Sequence, residues 1–177
     1  MMPNDRMKTA LIVAVACAAL SLTACGQGGP GKIARGKYLV GIISCGDCHT
    51  PGGLIGKPDM SRYLAGSEVG FFIPDLGYFY GPNLTSDEAT GLGKWSEDDV
   101  VTALRTGKRP DGRVLAPIMP WQSFANMSDE DAHAIAAYLK SLAPISNKVP
   151  GPFGAKETPT APYQAIIFPQ AAPPPTP

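Results

Sequence analysis

The chain carries little charge and no excess of either sign. Charged residues make up 17% of its 177 residues, and 15 Lys and Arg balance 15 Asp and Glu. A protein held on nucleic acid by phosphate neutralisation needs clustered basic residues, and the sequence contains no basic run. Nucleic-acid binding of this kind is therefore excluded.

Long apolar runs are also missing. No apolar stretch of 18 residues follows residue 25, so we expect no membrane-spanning helix in the mature chain. Regular structure should be sparse as well, because 20 Gly and 19 Pro together form about a fifth of the chain. The length is typical of one domain.

The first 24 residues are predicted to be a lipoprotein signal peptide. Arg6 and Lys8 precede an apolar segment over residues 11–22, and small residues follow it. Residues 22–26 read Leu-Thr-Ala-Cys-Gly, which resembles the bacterial lipobox, whose cysteine becomes a lipidated N-terminus. The sequence thus predicts an exported protein on the periplasmic side, anchored to a membrane through Cys25. Ordinary signal cleavage that leaves Cys25 unmodified is the alternative.

Cysteine and histidine are scarce, so the sequence allows few kinds of metal or redox site. Of four cysteines, Cys17 lies in the signal segment and Cys25 at its end, so Cys45 and Cys48 remain, in the run Cys-Gly-Asp-Cys-His over 45–49. C-x-x-C-H is the attachment motif of c-type haem. The two thiols add to the haem vinyl groups, and His49 can reach the iron as proximal ligand. Without internal repeats, one covalent haem c is expected.

Three other uses of the two cysteines compete with haem attachment. A thioredoxin-like redox site needs a βαβ context, which the sequence does not predict. A zinc site needs further ligands, and His133 is the other histidine available. A structural disulfide between Cys45 and Cys48 is feasible, but it gives His49 no role. Covalent haem is therefore the favoured interpretation.

Helices are predicted in three places. Apolar spacing indicates a helix over 32–44 that leads into the haem motif. Ser96 and Asp99 form a capping-box pattern that starts a second helix, which Gly107 should end. Ser128 is the predicted N-cap of a third, whose acidic first turn suits the helix dipole and which should end near Leu142.

The remaining segments are predicted to be irregular. Residues 25–31 should form a flexible Gly-rich tether, whereas 50–94 and 108–124 should form loops with short helical turns at most. Ten prolines lie between residues 144 and 177, a density that should exclude regular elements. There, residues 165–168 could pack locally on the domain. The predicted division is a signal over 1–24, a tether over 25–31, a domain over 32–148 and a Pro-rich tail over 149–177.

Together these features resemble class I c-type cytochromes, over about residues 32–148. The residues that carry the resemblance are Cys45-Gly46-Asp47-Cys48-His49-Thr50-Pro51, Gly81-Pro82-Asn83-Leu84-Thr85, Pro117-Ile118-Met119-Pro120-Trp121 and Ala137-Tyr138-Leu139-Lys140-Ser141-Leu142. They look like the cytochrome modules that accept electrons from periplasmic alcohol, aldehyde and N-heterocycle dehydrogenases. The resemblance implies an all-α fold with few helices and long loops around one haem. It also implies that Gly36 lets Tyr138 approach where the terminal helices cross.

The second iron ligand is expected to be Met119. Pro117 and Pro120 stiffen the loop around it, which helps a weak thioether ligand to stay bound, and the Met-Pro-Trp setting matches the family. Met60 and Met127 are the other methionines of the mature chain, and chain reach alone does not exclude Met60. His133 is expected to be a solvated surface side chain.

Five further residues are candidates to line the haem or to bond its propionates, although simple packing would also explain each of them. They are Trp95, Trp121, Tyr78, Tyr80 and Asn83.

The predicted function is electron transfer by a haem iron that cycles between Fe(III) and Fe(II), without catalysis at the iron. Peroxidase activity would need a vacant iron position and a distal acid–base group, and ligand sensing would need a displaceable Met119. A role as the electron-accepting cytochrome subunit of a dehydrogenase complex is the main alternative. Expected partners are a redox donor and acceptor, such as a dehydrogenase, another cytochrome or an oxidase. The basic residues Lys108, Arg109 and Arg113 are predicted to face an acidic partner surface. The alternative is that they are solvated charges of a surface loop.

Overall fold

The computed structural model describes residues 29–167, and the predicted signal peptide with Cys25 lies outside them. Five helices, two 3₁₀ turns and three short strands occur in these residues. In chain order they are α1 (Pro30–Ile42), α2 (Cys45–His49), 3₁₀ turns at Gly53–Ile55 and Met60–Arg62, β1 (Gly70–Ile73), β2 (Gly77–Tyr80), α3 (Glu97–Thr106), α4 (Trp121–Phe124), α5 (Asp129–Ser141) and β3 (Tyr163–Gln164). No helix in this part of the chain is long and apolar enough to cross a membrane.

The three predicted helices are present, and the second and third have the predicted caps, whereas the first ends at Ile42 and not at residue 44. α1 begins at Pro30, a residue favoured in the first turn of a helix, so residues 30 and 31 belong to the helix and not to a tether. The Ser96 side chain accepts from the Asp99 N–H, and Asp99 bonds back to Ser96 in a full capping box. Ser128 caps α5 through the Asp131 N–H.

The core lies where α1 and α5 cross and where α3 packs on α5. Its fully buried members include Val40, Leu64 and Ile135. A Cβ atom added at Gly36 would lie 1.9 Å from the Ala134 carbonyl oxygen and 2.8 Å from the Tyr138 Cβ. Glycine at this position therefore allows the two helices to touch, as the family resemblance implied.

A small sheet is the main difference from the all-α expectation. β1 pairs antiparallel with β2 and parallel with β3, in the order β2-β1-β3. Residues 70–73 and 77–80 read Gly-Phe-Phe-Ile and Gly-Tyr-Phe-Tyr around a turn at 74–76. Aromatic and β-branched residues on both sides of a short turn favour a hairpin, and the abundance of Gly and Pro obscured that signal.

The tail after residue 148 is also more ordered than its prolines predicted. β3 lies within it, and Phe153 forms a bridge with Tyr78 of β2. The Tyr80 hydroxyl donates to the Ala161 carbonyl at 2.9 Å. The expectation of no regular element here is thus wrong, and the folded unit extends past residue 148. Ile166 and Ile167 are each 82% exposed, so these two residues do not pack on the domain, and Phe168 lies outside the described residues.

Candidate haem-binding site

Both cysteines of the motif lie on the one-turn helix α2. Ser44, with a left-handed backbone (φ 57°), separates α2 from α1. Cys45 and Cys48 are three residues apart, a spacing that places two side chains on the same face of a helix. Both sulfur atoms are free and partly buried. Burial raises the pKa of the Cys45 thiol to about 11 and also raises that of Cys48. The two thiols are therefore neutral and side by side.

His49 is held at the end of α2 with one ring nitrogen engaged. It is 6% exposed, and its Nδ1 lies 2.8 Å from the Pro82 carbonyl oxygen. Burial lowers the pKa of His49, so the ring is neutral at pH 7. Because a carbonyl can only accept, Nδ1 must carry the proton, and the lone pair of Nε2 remains for a metal.

Gly81 makes this contact possible. A Cβ atom at Gly81 would lie 1.9 Å from the Cys48 carbonyl oxygen, so only glycine lets the segment pass this close to α2. The segment directly follows β2, and the hairpin therefore leads the chain to His49. In the sequence, Gly81 and Pro82 carried part of the family resemblance, but no local pattern predicted their contacts with Cys48 and His49.

The methionines differ in their surroundings. Met60 is 64% exposed. Met119 and Met127 are partly buried and pack against the core. Met119 lies in the loop between α3 and α4, and Met127 directly precedes the Ser128 cap of α5. His133 of α5, which was expected to be a solvated surface side chain, is partly buried.

Four of the five haem-lining candidates have protein partners. Tyr78 packs on Tyr163, with ring centroids 4.8 Å apart, and Tyr80 bonds Ala161. Asn83 is buried and donates to the Ile145 carbonyl at 2.7 Å and to the Thr90 hydroxyl at 2.9 Å. The Trp95 ring lies under the Arg109 guanidinium at 5.2 Å.

Trp121 is different, and it shows that the residues present fit a haem. Its indole Nε1 is buried with no hydrogen-bond partner among residues 29–167. A buried donor without a partner is costly, and a haem carboxylate would supply the missing acceptor. Two neutral thiols on one face, a neutral histidine with Nε2 available and this unpaired donor form a set suited to covalent haem.

Comparison with known proteins identifies the family. The sequence model of the family described as cytochrome c matches residues 33–143. The chain belongs to the cytochrome c family. Membership confirms the electron-transfer interpretation, and covalent haem c with its iron is the cofactor that the family implies.

Three relatives of this cytochrome c are dehydrogenase subunits. The fructose dehydrogenase cytochrome subunit of Gluconobacter japonicus is 37% identical over 61% of this chain. The cytochrome c subunit of the quinone alcohol dehydrogenase of Gluconacetobacter polyoxogenes is 38% identical over 64%. The gluconate 2-dehydrogenase cytochrome c subunit of Pantoea cypripedii is 33% identical over 79%. The matched region spans 21%, 25% and 30% of these relatives' own lengths.

Proposed function

We propose that the chain is a mono-haem electron carrier on the periplasmic side of a membrane, with haem attached to Cys45 and Cys48 and iron ligated by His49 and Met119. The observation that carries this proposal is the arrangement on α2, where two thiols share a face with a buried, neutral His49. When bound, haem c supplies the Fe(III)/Fe(II) couple.

The protein side of this function is to hold and orient. The Pro82 carbonyl fixes the His49 tautomer and ring orientation. A thioether is a soft, neutral ligand that favours the ferrous state, so Met119 would raise the potential. If His49 and Met119 both held the iron, no position on it would be open to a substrate, which supports an electron carrier and not an enzyme. Reduced protein should accordingly bind carbon monoxide poorly.

The attachment is tested by removing the two thiols together. Wild-type protein denatured on a gel should keep peroxidase-active haem stain, and its mass should exceed that of the processed polypeptide by one haem. Cys45→Ala with Cys48→Ala should abolish the stain, whereas Cys25→Ser is the matched cysteine control that should keep it. Haem that extracts freely into acidified solvent would refute covalent attachment, and a mass gain of two haems would refute the mono-haem assignment.

The proposed location rests on the sequence around Cys25. Lipidation there would retain the protein at a membrane, and more than one acyl chain is needed for stable retention. Cys25→Ser should therefore release haem protein into the soluble periplasm. An unmodified N-terminal mass in the wild type would contradict the anchor.

A role as the electron-accepting subunit of a dehydrogenase complex is the second candidate. The three relatives, each a cytochrome subunit of a dehydrogenase, favour it. Affinity purification from membranes separates the two: a dehydrogenase recovered in equal amount supports the subunit, and haem protein alone supports a separate electron carrier.

A further inference from the structure

The loop that carries Met119 begins at Gly107, the residue that ends α3, and is hydrogen-bonded back to Gly107 further along the chain. Gly107 ends α3 in a left-handed conformation (φ 72°), with its N–H bonded to the Ala103 carbonyl. The Leu115 N–H donates back to the Gly107 carbonyl at 2.8 Å. Residues 108–114 are thereby closed into a compact excursion, and the chain passes Gly107 again just before Met119.

Trp121, which follows the loop, packs directly against Gly107. A Cβ atom at Gly107 would lie 2.8 Å from Cε2 of Trp121 and 2.9 Å from both Cδ2 and Nε1. Separations under 3 Å are sterically forbidden, so the indole occupies the space that any other residue's Cβ would need. Glycine at 107 therefore both permits the left-handed helix end and provides the seat for the indole.

A tight turn couples Trp121 to Met119. The Trp121 N–H donates to the Met119 carbonyl at 2.8 Å, and Pro120 between them has φ −79° and ψ 49°. These angles are close to those of an inverse γ-turn, and the proline ring fixes φ. The backbone has little freedom between the two residues, so a shift of the indole would move Met119.

We propose that Gly107 is a positioning residue for the distal iron ligand: it seats the Trp121 indole and, through the turn at Pro120, fixes where Met119 is presented. This inference rests on the proposed role of Met119. In this role Gly107 acts through Trp121 and not by touching the ligand sulfur or the iron.

The loop offers a matched control at Gly112. Gly112 also has a left-handed backbone (φ 81°), but a Cβ atom there would meet nothing within 4 Å. Gly107→Ala and Gly112→Ala therefore add the same methyl group with a similar backbone penalty. Only Gly107→Ala drives that methyl group into the Trp121 ring.

The measurement is the affinity of imidazole for the ferric holoprotein, together with the far-red sulfur-to-iron band. Imidazole binds where Met119 is displaced, so a loosened loop raises its affinity. Gly107→Ala should raise it about tenfold or more and weaken the band, as expected for overpacking of a tight contact. Gly112→Ala should stay within about twofold of wild type. Equal affinities for the two variants would overturn the inference.

A double variant checks that Trp121 transmits the effect. In a Trp121→Leu background the smaller side chain leaves room for the new methyl group, so Gly107→Ala should then change the affinity no more than Gly112→Ala does. Trp121→Leu alone removes the contact between the indole and Gly107 without backbone strain, and it should itself raise imidazole affinity. If Gly107→Ala does not fold, wild-type affinity in Trp121→Leu would overturn the inference.

Met119→Ala separates this inference from the ligand assignment on which it depends. If Met119→Ala raises imidazole affinity and Gly107→Ala does not, the positioning role alone is overturned. If Met119→Ala binds imidazole like wild type, the ligand assignment fails and the positioning role fails with it.

Discussion

A single backbone carbonyl decides the chemistry of His49. Without the Pro82 oxygen at 2.8 Å, either ring nitrogen of a neutral histidine could carry the proton. With it, Nδ1 is the donor and the lone pair of Nε2 is left available, as the proposed role of iron ligand requires. Burial acts in the same direction, because it lowers the pKa of His49 and keeps the ring from becoming a cation. Both effects suit His49 to its proposed role as an iron ligand.

The proposal that Met119 is the second iron ligand is tested by substitution. Met119→Ala should remove the far-red band of the ferric protein, lower the reduction potential and let imidazole and carbon monoxide bind. A soft thioether that stabilises ferrous iron is then lost, and an axial position opens. Met60→Ala is the matched control, since Met60 is 64% exposed and should leave the spectrum unchanged.

Two outcomes at this residue would require a different ligand. Loss of the band in Met60→Ala with retention in Met119→Ala would assign Met60. The same pattern in Met127→Ala would assign Met127, which is also partly buried against the core. Absorption spectra of the ferric and ferrous proteins, with potentiometric titration, decide between them.

Site residues that are neighbours in the sequence can be predicted from it. Cys45, Cys48 and His49 were recognisable because the C-x-x-C-H spacing is itself the haem-attachment motif. The contact between His49 and Pro82 joins residues 33 apart, and the seat of Trp121 on Gly107 depends on how a loop closes. Neither has a local sequence signal.

The contact between α1 and α5 at Gly36 is close enough to be tested by substitution. The missing Cβ would lie 1.9 Å from the backbone oxygen of Ala134, and a backbone atom cannot rotate away. Gly36→Ala should therefore separate α1 from α5 and lower the free energy of unfolding by about 1–3 kcal/mol. Gly41 lies on the same helix, and a Cβ atom there meets nothing within 4 Å. Gly41→Ala should raise the free energy of unfolding by about 0.5 kcal/mol, since alanine favours helix.

Denaturant unfolding of the two holoproteins measures this contrast. The unfolding midpoints should move in opposite directions with unchanged slopes. A midpoint for Gly36→Ala at or above that of wild type would show that the helices can separate at no cost, and that close contact does not hold them.

Helices were predicted better than strands, for a physical reason. A cap such as Ser96 with Asp99 bonds within its own turn, so three or four residues suffice to specify it. A strand is stabilised by a partner, and β3 pairs with β1 across more than 90 positions of sequence. Two residues flanked by prolines carry no signal of such pairing, and the tail was therefore predicted to be irregular.

For the molecule as a whole, the charge on the loop over residues 108–114 is predicted to influence how it meets partners. Lys108 and Arg113 are exposed, but two of the three basic side chains predicted to face a partner pair with an acidic residue of the same loop. Asp111 pairs with Arg113 at 2.7 Å and with Arg109 at 3.3 Å, and Arg109 also lies over Trp95. The pKa of Asp111 is lowered to about 2, mainly by the hydrogen bond from Arg113. Asp111 is therefore ionised at neutral pH and offsets one of the three positive charges.

This arrangement predicts rate changes of opposite sign. Lys108→Gln with Arg113→Gln makes the loop less positive, and Asp111→Asn makes it more positive. If the loop borders the site of electron transfer, oxidation of the ferrous protein by the anion ferricyanide should slow in the first variant and quicken in the second. A cationic cobalt(III) oxidant should show the reverse order. Both effects should fade as salt rises, because charges are screened within about 10 Å at ~0.1 M. Stopped-flow rates at low and high salt provide the measurement, with the potential of each variant as control. Rates that stay at the wild-type value at low salt, with unchanged potentials, would place this loop away from the docking face.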